Sequence, residues 1–557
     1  MWKVVCLPSY VIERNFLVRK RCFLRIALLL VLIPTLFLQG CWVQLYPENE
    51  IAEPDVPLEE NIPSPDIPIT VTPKTPGRFT LRYDSKSSLN PITTLNRDNI
   101  LLSSLLYESL FFLDGDLNAK PLLCENWSTE DNTTYTFELK PNVAMNDGSW
   151  LTADDVVYTY KQSMQKGRYI SRFNEVNSFA SDGGLTVTVV LSAPNSRFIN
   201  LLDVPIIKSG SIGNSIPPGT GPYTVTEDGV MRLDQFYRHR DFFNLPVSSV
   251  YLRECGDNEL TELFDDGELS LLWDDPSDAF DLRINRLSDK RFYKTTALQY
   301  VGFNARKGVM RDPDVRRAIA CSIDRQYIVD NILTGHQAIA SPLALSPAFR
   351  LYDKAWEHHD TDPLVEMTLL LDRAGFEDFD DDSFLEIWDG FDGYSKFTVD
   401  FIVNIENTYK TQIAHKIADT LKRNGFNITV RELPWEDYLA ALQAGNFDLY
   451  YGEIMLNADF NLSPLLLSGS QINYGRTASS DYAPFVEEFL TARSDNEVRY
   501  AAKRLCDEIS EYAPFAPVVY KKQAIYFPMG AISGAAPSQS GVFYDFTNWT
   551  IDLMMLT

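Results

Sequence analysis

Tyr135-Thr136-Phe137-Glu138-Leu139-Lys140, then Asn146-Asp147-Gly148-Ser149, then Leu151-Thr152-Ala153-Asp154-Asp155-Val156-Val157: this stretch decides how the chain is read. Tyr135, Phe137 and Leu139 alternate with polar residues, the period-two pattern of a half-buried strand. Asn-Asp-Gly-Ser supplies turn residues. Thr152 stands where an N-cap belongs, and Asp154 and Asp155 follow at the positive end of the helix dipole. Val156, Val157, Tyr160 and Met164 then form one apolar stripe, so the segment predicts a strand, a turn and a capped helix.

The same mixture continues outward. Residues 79–83 alternate as a strand, 100–112 have helical apolar spacing, and 185–191 return as a strand. In the second half Asp312-Pro313 places an N-cap before a proline at the first helical position, with Val315, Ile319 and Ile323 on one face. Asp324 predicts a further helix ending near Gly335. Ile413, Ile417 and Leu421 mark a helix closed by Gly425. A strand over 426–431, a helix over Trp435–Ala444 and a strand over 447–456 follow. Strand–helix–strand of this length predicts a βαβ unit, and the chain as a whole an α/β fold.

The N-terminus differs in kind. Arg19, Lys20, Arg21 and Arg25 precede the uncharged run 26–38, which ends in Leu38-Gln39-Gly40-Cys41. Such a run spans roughly 20 Å as a helix, short of a hydrocarbon core of roughly 30 Å. A basic flank, a short apolar run and a small residue before a break predict an export signal over residues 1–40. Leu-x-Gly-Cys resembles the lipobox of bacterial lipoproteins, which implies a diacylglyceryl group on Cys41; Gln39 departs from the usual small or β-branched residue. Two acyl chains hold a protein at a membrane stably where one does not. Over 41–77 eight prolines, Pro47 to Pro76, interleave with Asp and Glu, which predicts an extended tether.

Apolar residues are 45% of the 557 and charged residues 23%, an ordinary globular composition. The formal charge of −26 repels phosphate backbones and argues against nucleic acid as a partner. Beyond the N-terminal segment, Cys124, Cys255, Cys321 and Cys506 show no C-x-x-C spacing, and disulfides or free thiols both fit. No Gly-x-Ser-x-Gly, Walker-type, Gly-x-Gly-x-x-Gly or His-Glu-x-x-His pattern is present, so the chain reads as a binder without cofactor rather than an enzyme.

In order along the chain, Leu89-Asn90-Pro91, Leu106-Tyr107-Glu108-Ser109-Leu110, Pro121-Leu122-Leu123-Cys124-Glu125-Asn126-Trp127, the opening stretch, Gly219-Thr220-Gly221-Pro222-Tyr223, Val301-Gly302-Phe303-Asn304, Asp314-Val315-Arg316-Arg317-Ala318-Ile319 and Leu370-Leu371-Asp372-Arg373-Ala374-Gly375-Phe376 resemble the bacterial extracellular solute-binding proteins of family 5, the peptide and nickel type. The resemblance implies a two-lobed, hinge-closing fold of the periplasmic-binding-protein-like kind (class II type). A further domain is inserted in the first lobe. It implies lobe I over 78–90, 205–298 and 508–557, an additional domain II over 91–204, and lobe III over 299–507. The implied function is capture of oligopeptides or dipeptides for the permease and ATPase subunits of an ABC importer. The implied state is a monomer, lipid-anchored at the outer face of the cytoplasmic membrane or in a periplasm.

A peptide presents an ammonium, a carboxylate and amides, so a closing binder needs a buried acid and adaptable polar and aromatic contacts. Asn457-Ala458-Asp459-Phe460-Asn461 follows a strand end, where α/β lobes bind ligands. It also resembles the Ala-Asp-Tyr stretch of oligopeptide-binding proteins, which implies that Asp459 takes the α-amine. Trp273, Tyr300, Asn96, Arg97 and Tyr474 are the other expected contacts. Met455 and Leu456 stand where the family usually has a Trp. A binder of nickel or a metal chelate, or of an oligosaccharide, is the alternative on this fold. His358-His359-Asp360 with Asp362 reads as a solvated loop, and no metal ligand is assigned. The acidic run Glu377, Asp378, Asp380, Asp381 and Asp382 lacks the EF-hand spacing and glycine and reads as a solvated face.

Overall fold

The computed structural model describes residues 76–556 except 238–243, 278–281, 358–360, 389 and 391–392. The expected export signal, Cys41, the tether up to residue 75 and His358-His359-Asp360 lie outside the described residues. Strand β1 (Thr80–Tyr83) opens the first lobe, and helix α1 (Arg97–Leu106) follows it, capped by Asn96. An antiparallel sheet over domain residues is formed by β2 (Cys124–Thr129), β3 (Thr134–Leu139), β4 (Val176–Ser181) and β5 (Thr186–Leu191), in the order β2-β3-β5-β4. Helix α2 (Ala153–Ser163) lies between β3 and β4 in the chain. Its start is the predicted one: the Asp155 carboxylate accepts from Thr152 N at 2.8 Å, satisfying a donor at the helix N-terminus. Val156, Val157 and Tyr160 are buried, whereas Met164 lies past the last turn and is exposed.

The apolar spacing over 100–112 predicts a longer helix than forms. α1 stops at Leu106, Tyr107 is extended, and Phe111–Leu113 is a strand paired with Ala119–Pro121. The reason is the Gly219-Thr220-Gly221 turn, which abuts the helix end. Gly221 N donates to the Leu106 carbonyl at 3.0 Å, and a Cβ at Gly219 or Gly221 would collide with Tyr107 or Leu106. Glycine is required there for close approach rather than for a special backbone angle. The turn leads into β6 (Tyr223–Val225), β7 (Val230–Leu233) and β8 (Ser249–Glu254), and β1 completes this sheet by pairing parallel to β8.

The second lobe is built on a seven-stranded sheet that begins in the first. β9 (Leu272–Asp274) and β10 (Ser288–Phe303) precede α3 (Pro313–Cys321), whose N-cap Asp312 accepts from Asp314 N. A small antiparallel sheet, β11 (Phe376–Glu377), β12 (Glu386–Trp388) and β13 (Tyr394–Lys396), follows. β14 (Val399–Asn404), α4 (Thr408–Arg423) and β15 (Ile428–Leu433) form a βαβ unit with β14 and β15 parallel. The unit expected from sequence, β15, the helix Trp435–Ala444 and the strand Leu449–Met455, also forms with its strands parallel, but β14 lies between them in the sheet. Then come α5 (Trp435–Ala444), β16 (Leu449–Met455), the antiparallel neighbours α6 (Ser479–Thr491) and α7 (Asp495–Tyr512), and β17 (Phe515–Pro528). Strand order is β9-β17-β10-β16-β14-β15, and the seventh strand, Ala338–Ala340, pairs antiparallel with β17 off this path.

Two of these strands cross between the lobes. The first half of β10, Ser288 to Lys294, pairs with the end of β17, and Leu298 to Gly302 pairs with its beginning; the register breaks between Lys294 and Leu298. Burial is near-continuous along the later part of β10 and along β17, as a sheet covered on both faces demands, with alternate side chains entering different cores. Val301, Phe303, Val399, Phe401, Leu449 and Tyr451 pack with α4, whereas Leu298, Tyr300, Ile402 and Tyr450 pack with α5, α6 and α7. In the first lobe one core runs from Phe79 and Leu81 through Tyr135 and Phe137 to Phe546 and Trp549, and a smaller one gathers Leu260, Phe264, Leu269 and Leu272. Cys124, Cys255, Cys321 and Cys506 are all free thiols, Cys124 and Cys506 buried. Of the two open readings of cysteine, the unpaired one holds.

Candidate ligand-binding site

A cavity of about 530 Å³ opens beside the crossing strands. That lies within the roughly 300–1,000 Å³ of small-ligand sites. Its floor is α1, its side the three adjacent strands β9, β10 and β17, and its roof the C-terminal loop 538–547. Trp273, Tyr293 and Gln523 come from those three strands. Trp273 Nε1 donates to the Tyr293 hydroxyl at 2.5 Å, and that hydroxyl donates to Gln523 Oε1 at 3.0 Å. Each ring is thereby held in one orientation. The Arg97 guanidinium, on the first turn of α1, lies 4.3 Å from the Trp273 ring centroid, a cation–π contact that fixes a long side chain at the wall.

The wall carries both signs of charge. Arg97, Arg168 and Arg172 line it with Glu108 and Asp203. Arg172 pairs with Asp203, and burial holds the Arg172 guanidinium down at about 10. Glu108 accepts from the Tyr237 hydroxyl at 3.1 Å. Tyr107 is buried against the glycine turn, and its hydroxyl has no hydrogen-bond partner among the described residues. Burial pushes that phenol well above its usual range, so it stays a neutral donor. Gln539 in the roof is tied to the hinge: its Oε1 accepts from Thr296 N at 2.5 Å and its Nε2 donates to Thr296 Oγ1 at 2.8 Å. Thr296 sits in the register break of β10.

The six expected contacts divide. Arg97 and Trp273 meet on the wall. Asn96 lies one residue away as the N-cap of α1, accepting from Asn99 N and donating to Asp84. Tyr300 is buried in the second lobe, where its hydroxyl accepts from Tyr450 at 3.3 Å and its ring meets Phe515 edge-on. Tyr474 packs edge-on to Tyr450.

Asp459 stands at the carboxyl end of β16, as read from sequence, yet its carboxylate faces a different surface. It is 2% exposed, accepts from Asn195 Nδ2 at 3.0 Å and from Asn461 N at 3.2 Å, and does not line the cavity. Arg197 Nε donates to its main-chain carbonyl at 3.0 Å, and the guanidinium lies 3.8 Å from the Phe489 ring centroid. Burial raises the Asp459 pKa, outrunning the Asn195 bond that opposes it. The second lobe reaches the cavity through Met455, at the position where the resemblance leads one to expect Trp. A flexible thioether there adapts to varied shapes where an indole would impose one. Tyr107, Glu108, Tyr293, Gln523 and Gln539 were not singled out from sequence. Tyr107-Glu108 and Gly219-Thr220-Gly221 carried the available signal, a helix end and a glycine turn that had to meet.

Comparison with known proteins places this geometry. The family model described as "Bacterial extracellular solute-binding proteins, family 5 Middle" matches residues 118–473. The oligopeptide-binding protein AppA of Bacillus subtilis (strain 168) is 24% identical over 375 residues, covering 62% of this chain and 67% of that protein. The glutathione-binding protein GsiB of Salmonella paratyphi A is 24% identical over 310 residues, covering 52% of this chain and 60% of that one, so the match spans less than two thirds of GsiB. Among solved structures, AppA from Bacillus subtilis in complex with a nonapeptide superposes with TM-score 0.62 at 20% identity, covering 86% of this chain and 100% of that chain. NikA from Brucella suis in complex with Fe(III)-EDTA gives 0.67 at 15%, covering 85% and 99%. The mixed α/β architecture is therefore the two-lobed fold of periplasmic-binding-protein type. No described helix is long and apolar enough to cross a membrane.

Proposed function

Because this chain belongs to the bacterial extracellular solute-binding proteins of family 5, we propose that it captures a short peptide or peptide-like conjugate and hands it to the permease and ATPase subunits of an ABC importer. The observation that carries this reading is the cavity wall. Arg97 stacked on Trp273 suits a carboxylate, Glu108 suits an ammonium, and the buried Tyr107 hydroxyl suits an amide carbonyl. Met455 and the Trp273 and Tyr293 rings supply adaptable apolar surface for side chains. Asn96 acts in this reading through α1, which it caps, whereas Asp459, Tyr300 and Tyr474 do not line the cavity. Lipid on Cys41, behind a tether ending near residue 77, would keep the monomeric body at the outer face of the cytoplasmic membrane.

The test is thermal-shift screening of the protein against peptide, metal-chelate and oligosaccharide pools, since a ligand raises the melting temperature by mass action. Peptides are expected to give the shift, and Arg97→Ala to weaken the best of them by about 1.5–3 kcal/mol, the worth of a hydrogen bond to a charged group. A shift with a chelate or a sugar and none with peptides would overturn the peptide reading.

A further inference from the structure

The acidic run after the helix Pro363–Arg373 is largely exposed, as expected from sequence, yet three of its carboxylates converge on a buried fourth. Asp378, Asp380, Asp382 and Glu386 each offer a carboxylate oxygen within 4.8 Å of the others. The loop joins β11 to β12. Asp378 accepts from the main-chain N–H groups of Asp382 (3.1 Å) and Ser383 (2.9 Å), and Asp382 accepts from Phe384 N at 3.0 Å. These bonds use part of each carboxylate and point the rest at one centre. Glu386 supplies an independent observation. It is 3% exposed, its Oε2 accepts from Phe379 N at 2.8 Å, and its Oε1 is buried with no hydrogen-bond partner. A buried carboxylate oxygen left in that state is costly unless a cation faces it.

The cation facing it in this structure is Lys396, from β13. Its Nζ lies 3.1 Å from Asp380 Oδ2 and 3.6 Å from Glu386 Oε1, and it also pairs with Asp382. One ammonium among four carboxylates leaves the cluster under-neutralised. The Lys396 side chain is 44% exposed and has open water to swing into.

The spacing is that of an oxygen-donor loop for a hard cation. Asp378, Asp380 and Asp382 occupy the first, third and fifth places of such a loop and Glu386 the ninth. The sixth place, where glycine makes the sharp turn, is Ser383, held at φ +74. The expected lack of EF-hand spacing is corrected here, because Glu386 extends the run's Asp378, Asp380 and Asp382 to a further place of such a loop.

We propose that this loop is a calcium site of the second lobe, in which Ca²⁺ displaces the Lys396 ammonium and is held by Asp378, Asp380, Asp382 and Glu386. Calcium fits because it takes six to eight oxygens in flexible geometry, and extracellular modules bind it at roughly 10⁻⁴–10⁻³ M. The site stands apart from the solute cavity in its residues and does not depend on what that cavity binds.

The experiment is calorimetric titration of CaCl₂ into the chelator-treated full chain, repeated with Asp380→Asn/Asp382→Asn and with Lys396→Met. One saturable site is expected. The paired Asn variant should weaken it at least about tenfold, because two of the anionic ligands are lost. Lys396→Met should tighten it, because the competing ammonium is gone. If the Asn pair fails to fold, Asp380→Asn alone serves, with terbium luminescence sensitised by the neighbouring Trp388 and Tyr394 as the readout. No saturable uptake up to about 5 mM, uptake indifferent to the Asn variants, or weaker binding in Lys396→Met would each overturn the proposal.

Discussion

The seam around Asp459 and the cluster around Lys521 both take charge out of water between the first and second lobes, and they balance it differently. At the first, one carboxylate meets the neutral Asn195 amide, with Arg197 bonded to main-chain carbonyls of Asp459 and Phe489. Asn200 Nδ2 donates to the Ala458 carbonyl and Ser196 Oγ to Ala492. Charge is carried there against its solvation preference: burial raises Asp459 and lowers Arg197 to about 10. At the second, Lys521 Nζ is 2.7 Å from Asp275 and 3.2 Å from Glu453, and Lys410 is 2.9 Å from Glu453. Gln299 Nε2 adds a bond to Glu453 at 3.0 Å. Burial would raise Glu453, but the two ammonium groups outweigh it and hold the carboxyl at about 2; Lys521 is raised in turn, Glu453 and Asp275 outweighing its burial. Hydrogen bonds to backbone dominate one seam, and paired ions the other. The lesson is that two charged contacts between the same lobes need not depend equally on charge.

Lys521→Met tests the second seam hardest. It leaves Asp275 and Glu453 facing each other without their shared cation, and breaking a buried pair costs about 3–5 kcal/mol. Urea denaturation should show a loss of that size, and a loss under about 1 kcal/mol would mean the cluster is solvated in practice.

Acid separates the two seams by sign. Glu453 is depressed in the folded chain, so its contribution is fully present above the unfolded value near 4.5 and is lost as pH falls through about 2. Across that window the wild type should lose on the order of 3 kcal/mol relative to Glu453→Gln. Asp459 is raised, so its protonation on acidification relieves a buried charge and favours the folded chain. Stability curves of Glu453→Gln and Asp459→Asn should therefore depart from the wild type in opposite directions as pH falls. Parallel curves would erase the distinction.

The smallest effect is expected from Asp459→Asn at neutral pH. The amide keeps the shape and an acceptor for Asn195, and it removes an ionised group that burial disfavours. Stability should change by less than about 1 kcal/mol, within the net worth of one hydrogen bond. If solute affinity fell by tenfold or more while stability held, Asp459 would be a ligand contact after all, and the seam reading would be wrong.

Much of the fold was legible because its signals are local. Thr152 with Asp155, Asp312 before Pro313, and Gly425 after Leu421 each specify a helix end by their own chemistry. The overlong reading of α1 failed because its end is set by Gly221, which lies far along the chain and meets Leu106 only in space. The binding wall was legible in part for the same reason. Arg97 and Trp273 are unusual residues at recognisable places, a helix start and a strand. Tyr293, Gln523 and Gln539 belong to strands and a loop whose meeting depends on the pairing of β9, β10 and β17. Asp459 had the right address and the wrong neighbours: the strand end was readable, while Asn195 and Arg197 across the seam were not.

Gln539 has a consequence for energy flow. Its amide is at once part of the cavity roof and the clamp on Thr296, whose hydroxyl also donates to the Leu456 carbonyl at the end of β16. A solute that competes for this amide and a motion that loosens the β10 crossing draw on the same two hydrogen bonds. Occupancy and lobe angle are then conjugate variables, and reciprocity requires that whatever the solute does to the crossing, the crossing does equally to the solute's dissociation constant.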